Sequence, residues 1–474
     1  MIRSLKYIVF LACFAITFSN EIKAQNLTYS PYSRYGLGEL NTSGFAQISA
    51  LGGTFIGLKP DTAAPLYINV ANPAAITGIR LTTLELGGHA TFTEFSNGIS
   101  AKKTRNISFS YGSLGFPLKQ RAAACFGIMP YSNVGYNLKN TISNQSIGDI
   151  EYVYSGDGGI NKAFFGLGIN PFKKSLVRFS RSALKDSLVK HKETKKYKNI
   201  KFRKELLAEL SIGGRMDYLF GNVLHTSSVI YPNSNNYNNT RRYRAVTYKD
   251  FTGSFGIQTS FSIDSIKKRE LRKKVKIGFG YFMTIPNTIM VKNSQMAYNY
   301  GLNSFGDETP KDTFIYVIDN PSSIRLPLEQ GIGVSFRKGD VWAVCADASY
   351  TNWQQFRYLD AVNDLSNSFR YSFGVNFVPS KNATGSYLKR VQYRIGGYYN
   401  TGSLELKNTK ITNYGLTVGL GLPVGMYRQF SVVNISAQFG EMGSVNNNLL
   451  RERYAKIIIG FTFNDKWFNK LRYD

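Results

Sequence analysis

The 474 residues carry 58 Lys and Arg against 30 Asp and Glu, a formal net charge of +28, with 43% hydrophobic and 14% aromatic residues. No apolar run of 18 or more residues follows the N-terminal stretch, which excludes a helical membrane protein. What remains is a secreted soluble all-β protein or a β-barrel, and three His and three Cys leave little room for a metal cluster or a disulfide framework.

In chain order, Met1 to Tyr7 bring Arg3 and Lys6, Ile8 to Phe18 form a short apolar core, and Ile22-Lys23-Ala24 offers a small residue before Gln25. That order predicts a secretory signal peptide over 1–24. The apolar core continues past Cys13, which argues against a lipoprotein cut there. Cys125 and Cys345 then remain, as two membrane-embedded thiols or as one bridge in an oxidising envelope.

Residues 25–79 precede the first strand and are rich in Gly and Ala. From residue 80 the pattern alternates with period two, as a pleated strand requires. In Phe369-Arg370-Tyr371-Ser372-Phe373-Gly374-Val375-Asn376-Phe377 one face is aromatic and apolar, and the other is Arg, Ser, Gly and Asn. Tyr414 to Leu422, Val391 to Tyr399 and Ala455 to Phe463 repeat it. A soluble sheet would put many Lys and Glu on its polar face. Here that face is mostly Gly, Ser, Thr, Asn and Gln, as expected of a packed or wet lumen, while the rings suit lipid contact.

The expected architecture is a closed antiparallel transmembrane β-barrel of about 14 strands over 80–474, with the N-terminal segment 25–79 plugging the lumen. The strands fall near 80–95, 104–116, 120–139, 148–171, 206–223, 241–262, 274–290, 324–337, 341–357, 367–379, 390–401, 411–422, 430–441 and 454–463. Residues 231–239 and 293–321 are expected as polar connections. Ser155 to Gly159 is either part of one long bent strand or a hairpin, and an even strand count favours the former.

The segment before strand one contains Gly44-Phe45-Ala46-Gln47, Ala50-Leu51-Gly52-Gly53-Thr54-Phe55 and, at the junction, Asn69-Val70-Ala71-Asn72-Pro73-Ala74-Ala75-Ile76. In these motifs, and in the strand number downstream, the chain resembles the FadL family of outer-membrane long-chain fatty acid transporters. The resemblance implies that the segment folds inside the barrel as a hatch, with Asn72, Pro73 and Ala74 as the plug motif. Independently, Asn before Pro is held extended and Pro fixes the turn, so Asn72 is either a latch or only the entry into strand one. The resemblance also implies a kinked third strand that opens the wall. That strand here holds Gly127, Met129, Pro130, Tyr131 and Asn133, and Pro cannot donate to a ladder. The alternative is an ordinary bulge.

Two basic stretches, Phe172 to Lys204 and Ser265 to Lys276, carry much of the positive charge and fall on connections that parity assigns to the periplasm. The first, within a predicted insertion over 172–205, replaces a short turn and has Leu184 and Leu188 one helical turn apart. Export excludes nucleic acid as a partner; an acidic periplasmic protein, anionic head groups or plain solvation are the alternatives. Lumen-facing Glu209, Arg215, Asp217, Asp347, Arg370 and Arg394 either pair across the lumen or guide a substrate. His89, expected to be the one histidine on a barrel strand, points inward beside Glu85 within reach of Ser108 or Ser110, which is read as a structural contact and not an enzyme site. No cofactor or metal is expected. The function the resemblance implies is passive uptake of hydrophobic or amphipathic small molecules such as fatty acids, with lateral exit into a Gram-negative outer membrane. Outer-membrane lipid, lipopolysaccharide and a hydrophobic ligand would be its partners. An interaction or shuttle barrel associated with protein secretion machinery is the second possibility.

Overall fold

The computed structural model describes residues 28–465, apart from 42–44, 61–66, 120, 173–205, 233–236, 264–274, 304, 306, 360, 363–364, 382, 384 and 425–430. The expected signal peptide and most of both basic stretches lie outside the described residues.

Fourteen wall strands follow one another round a ring. They are β1 Thr82–Ser96, β2 Ala101–Lys119, β3 Ala122–Asn144, β4 Gly148–Ile169, β5 Ser211–Ile230 and β6 Asn239–Ile263. Next come β7 in two pieces, Val275–Thr284 and Thr288–Leu302, and β8 in two, Glu308–Arg325 and Glu329–Lys338. The rest are β9 Trp342–Thr351, β10 Ser368–Phe377, β11 Gln392–Asn400, β12 Asn413–Val424, β13 Ser431–Gly443 and β14 Arg451–Asp465. Each pairs antiparallel with the next, and β1 pairs β14 from Thr82↔Asp465 to Ser96↔Arg451, which closes the barrel. Closure satisfies the backbone groups that an open edge would leave bare in hydrocarbon. An even strand number puts both barrel ends on one rim, called here the inner one.

Alternation sets the faces. Phe369, Tyr371 and Phe373 are about half exposed, while Ser372 between them is buried. Rings collect in two belts, with Tyr371, Tyr399 and Tyr414 towards the outer rim and Trp342, Phe461 and Phe463 towards the inner, as at the two interfaces of a bilayer. The opposite face is small because chain packs against it. A side chain at Gly280 would run into the Ile56 carbonyl, and one at Gly213 into that of Pro73.

The structure changes several boundaries. Residues 293–321 are not a loop: the second piece of β7 and the first of β8 form a long hairpin, paired from Leu302↔Glu308 to Thr288↔Arg325. Three bulges absorb Lys311, Phe314 and one residue near Asp319, which disguised the strand period. β5 starts at Ser211, so Glu209 sits in the turn before it and not on the lumen wall. β5 also runs to Ile230, so His225 is a second histidine on a barrel strand, bonded to the Tyr136 hydroxyl at 2.8 Å. Ser155 to Gly159 stays within one strand, with Gly158 taking φ +105°.

Candidate functional site

The inner segment, 45–60 and 67–79, touches wall strands on every side, which places it within the ring. Polar side chains of the wall hold its backbone. Asp347 on β9 accepts from the N–H of Phe55 at 2.6 Å and of Ile56 at 2.8 Å. Glu85 on β1 accepts from Gln47 at 2.9 Å and from the Ile68 N–H at 2.9 Å. Gln258 on β6 donates to the Ile56 carbonyl at 2.6 Å, Ser335 on β8 to that of Gly57 at 2.7 Å, and Thr417 on β12 to that of Ala50 at 3.1 Å. A buried carboxylate is tolerated only when its lone pairs find donors. Asp347 and Glu85 meet that condition through the inner segment.

Asn72 has the extended backbone its place before Pro73 demands, φ −108° and ψ 109°. Its Oδ1 accepts from the Ala74 N–H at 3.1 Å and caps the turn Pro73–Gly78, while its Nδ2 donates to the Ile56 carbonyl at 2.8 Å. One side chain thereby ties two turns of the segment together.

Of the six expected lumen charges, five lie on the wall. Arg215 and Asp217 form a bidentate pair, Nε to Oδ1 at 2.7 Å and Nη2 to Oδ2 at 2.8 Å, and Arg215 also donates to the Val70 carbonyl. Arg394 donates to Asn434 at 2.8 Å and to Gln392. Arg370 donates to the Gly52 carbonyl at 3.1 Å and lies over the Tyr398 ring, 4.8 Å from its centre. With Asp347, four of the five reach across the strand or onto the inner segment with short, directed bonds. Arg370 has the loosest attachment and faces open space.

That space is a cavity of about 350 Å³ between the inner segment and residues 30–41. Lys162, Arg215 and Arg370 line it against Glu39, Asp217 and Glu329, together with Phe55, Tyr131 and Phe282. Three cations and three carboxylates balance there, with Arg215 bound to Asp217. Lys162 and Glu329 escaped the sequence reading, because each stands alone on its own strand and meets the others only through the curvature of the ring. His89 bonds Ser110 at 2.7 Å, and its neighbour Glu85 is engaged by Gln47 and Ile68.

The wall is interrupted beside this cavity. The β2–β3 ladder runs from Lys119↔Ala122 to Gly112↔Ile128 and stops. Among the described residues, no ladder joins β2 above Gly112 to β3 above Ile128. Pro130 stands just past the break, where β3 slips register against β4 between Pro130 and Ser132. Gly127 is still in the ladder, Met129 is buried, and the Tyr131 ring lies under Lys162 at 5.6 Å. The freed edge of β3 is taken by the chain's own Glu39–Leu40, paired as Glu39↔Asn133 and Leu40↔Ser132. Asn41 adds an N–H to the Tyr131 carbonyl at 3.0 Å, and Ser33 Oγ accepts from the Gly135 N–H at 3.0 Å.

The model of the BamG family matches residues 1–180 and 199–474. The chain belongs to the BamG family. No curated protein matches it. Among solved structures, two crystal structures of the Pseudomonas putida toluene transporter TodX are similar at 13% identity and a TM-score of 0.51. They cover 90% and 91% of this chain and 100% of theirs. A Pseudomonas aeruginosa FadL homologue has 12% identity, 90% and 98% coverage and a TM-score of 0.48. At such identity the likeness to TodX is one of fold, so this BamG-family chain shares a barrel architecture with a hydrocarbon transporter.

Proposed function

We propose that this BamG-family barrel sits in a Gram-negative outer membrane, among lipid and lipopolysaccharide, and admits hydrophobic or amphipathic small molecules that leave sideways through its wall. The observation that carries the reading is the end of the β2–β3 ladder at Gly112↔Ile128, beside a cavity lined by Lys162, Arg370, Phe55, Tyr131 and Phe282. A fatty acid would place its carboxylate near Arg370 and Lys162 and its tail towards Tyr131. Asn72 would serve as the latch of the hatch, and Gly127, Met129, Pro130, Tyr131 and Asn133 would border the exit. The test is uptake of a labelled long-chain fatty acid and of toluene by cells whose barrel carries Phe109→Cys and Pro130→Cys, joined by a bismaleimide. Uptake should fall to the level of cells without the barrel. Unchanged uptake at complete cross-linking refutes sideways exit.

A second reading is an interaction barrel associated with protein secretion machinery. The BamG family match favours it, as does the tight engagement of Arg215, Asp347 and Arg394 described above, which leaves little free charge to guide a cargo. The basic connections around 172–205 and 264–276 would then take an acidic periplasmic partner. Barrel extracted in mild detergent separates the two: bound lipid-like material supports transport, a stoichiometric protein supports interaction.

A further inference from the structure

The ladders from β3 to β8 rise past the outer belt of rings as an outer sheet that ends in the β7–β8 arm. The rest of the wall is lower, and from β11 through β14 and β1 to β2 it carries a groove of about 1130 Å³ on its outward face. The register explains the groove. Gly397, Leu416, Phe439, Ala455, Phe92 and Arg105 are successive neighbours across these six strands. Phe439 and Phe92 stand out at 56% and 48% exposure, so Ala455 leaves a pit between them. One step down, Ala437 and Ala90 flank Ile457 on either side, and the pit divides into two furrows. The second furrow continues past Gly88, where a side chain would meet only the Ser108 carbonyl at 3.5 Å.

Charge on this outward face is confined to its upper end. One step above the pit lie Glu441, Arg453, Glu94 and Lys103, with Arg105 beside them and Arg451 above. Both carboxylates are already met: Glu441 bridges Arg453 at 2.8 Å and accepts from the Tyr414 hydroxyl at 3.1 Å, and Glu94 lies 3.5 Å from Lys103. Among the described residues Arg105 and Arg451 have no ion pair, and Arg451 Nε is enclosed without an acceptor. In the hairpin overhead Glu405 stands opposite Lys410, with Lys407 beside them, so the excess stays positive. Arg453 is roughly ten residues above Phe463, ~33 Å of strand or about 25 Å of height at the usual tilt, which is the height of the apolar band. The cations therefore stand at head-group level and the furrows run down into hydrocarbon. Residues 97–100 alone join β1 to β2 above them, which leaves room for a large head group.

We propose that this groove binds one phosphorylated, multi-chain glycolipid of the outer leaflet, a molecule of the lipid A type. Arg105 and Arg451 take its phosphates, and acyl chains lie in the furrows over Ala437 and over Ala90 and Gly88. The two arginines stand two strands apart, ~10 Å across the sheet. That spread and the paired furrows favour a sugar-sized head group with several chains over a two-chain phospholipid. Charge-assisted bonds from guanidinium to phosphate supply the specificity. The proposal rests on the outer-membrane placement, with the tall sheet at the cell surface. The groove faces away from the lumen, so the site holds whether or not the lumen passes small molecules.

The test titrates the full barrel, purified in detergent and stripped of lipid, with three probes: bisphosphorylated lipid A, the same lipid freed of its phosphates, and phosphatidylglycerol. Native mass spectrometry reads the bound lipid, and heat-modifiable mobility is the fold check. Wild type should take one lipid A at least tenfold more tightly than either other probe. Arg105→Glu/Arg451→Glu should weaken lipid A at least tenfold, and Ala455→Phe, which fills the pit, severalfold. Ala346→Phe, an outward position on β9 beyond the groove, should change nothing. Should the double arginine variant misfold, Arg105→Glu alone, at an exposed site, is read the same way. Unchanged lipid A binding in the folded groove variants overturns the proposal. So does wild type that binds the phosphate-free lipid or phosphatidylglycerol as tightly, or an Ala346→Phe loss equal to that of Ala455→Phe.

Discussion

The lower wall and the outer sheet are built from the same strands, yet their side chains are managed in opposite ways. Around the inner segment many inward positions are glycine, a short polar residue or an ion with a named partner, and Tyr111, Cys125, Phe164 and Cys345 pack against its apolar side chains. Gln258 and Asp347 hold backbone that would otherwise be orphaned, and Gly280 and Gly213 let that backbone approach. Above the belt, strands such as β8 expose residues on both faces and carry few anchors. The difference teaches that period-two patterning fixes only which residues share a face. What covers that face decides whether the residues are small, paired or free.

The predicted effects scale with that difference. The largest should come from Arg215→Met, which strands Asp217 in the lumen without its bidentate partner. Unpaired buried charges of this kind cost about 3–5 kcal/mol. Denaturant unfolding in detergent should show that loss, and Arg215→Met/Asp217→Leu should recover much of it; a double variant as weak as the single would show that the pair has another role. Next is Asp347→Ala, which removes the acceptor for Phe55 and Ile56. A loss of about 2–4 kcal/mol is expected, with faster amide exchange confined to 45–60 if the segment is held as described. Asn72→Ala should cost about 1–2 kcal/mol, since a cap and one donor are lost, and the same exchange measurement should show loosening at both Ile56 and Ala74. In the outer sheet, the Lys139–Glu151 bridge at 2.7 Å joins an exposed lysine to a partly buried glutamate. Lys139→Ala should change stability by less than ~1 kcal/mol. A larger loss there would erase the contrast between the two regions.

Much of the wall was legible in the sequence because its signals are local. The alternation from Phe369 to Phe377 reports its own two faces, and an even count settled the run through Gly158. Pro130 stands just past the end of the β2–β3 ladder while still opposite Asn161 of β4. The site was harder to see. Glu329 and Lys162 meet across the cavity from distant strands, and nothing near either residue announces the other. Glu209 was misplaced because its strand begins two residues later, and the β7–β8 arm was missed because bulges at Lys311 and Phe314 scrambled its period. The acceptors of the inner segment, Glu85 and Asp347, look like any lumen charge until the segment's register is known.

Cross-linking across β2 and β3 tests the wall break most directly. Leu114→Cys with Phe126→Cys lies in the ladder, and Leu40→Cys with Ser132→Cys lies in the strand that replaces it. Were the ladder continuous, Ile107 would face Asn133. On mild oxidation in native membranes, the first two pairs should form disulfides and Ile107→Cys with Asn133→Cys should not. Equal disulfide formation by that third pair would show a closed wall and contradict the account.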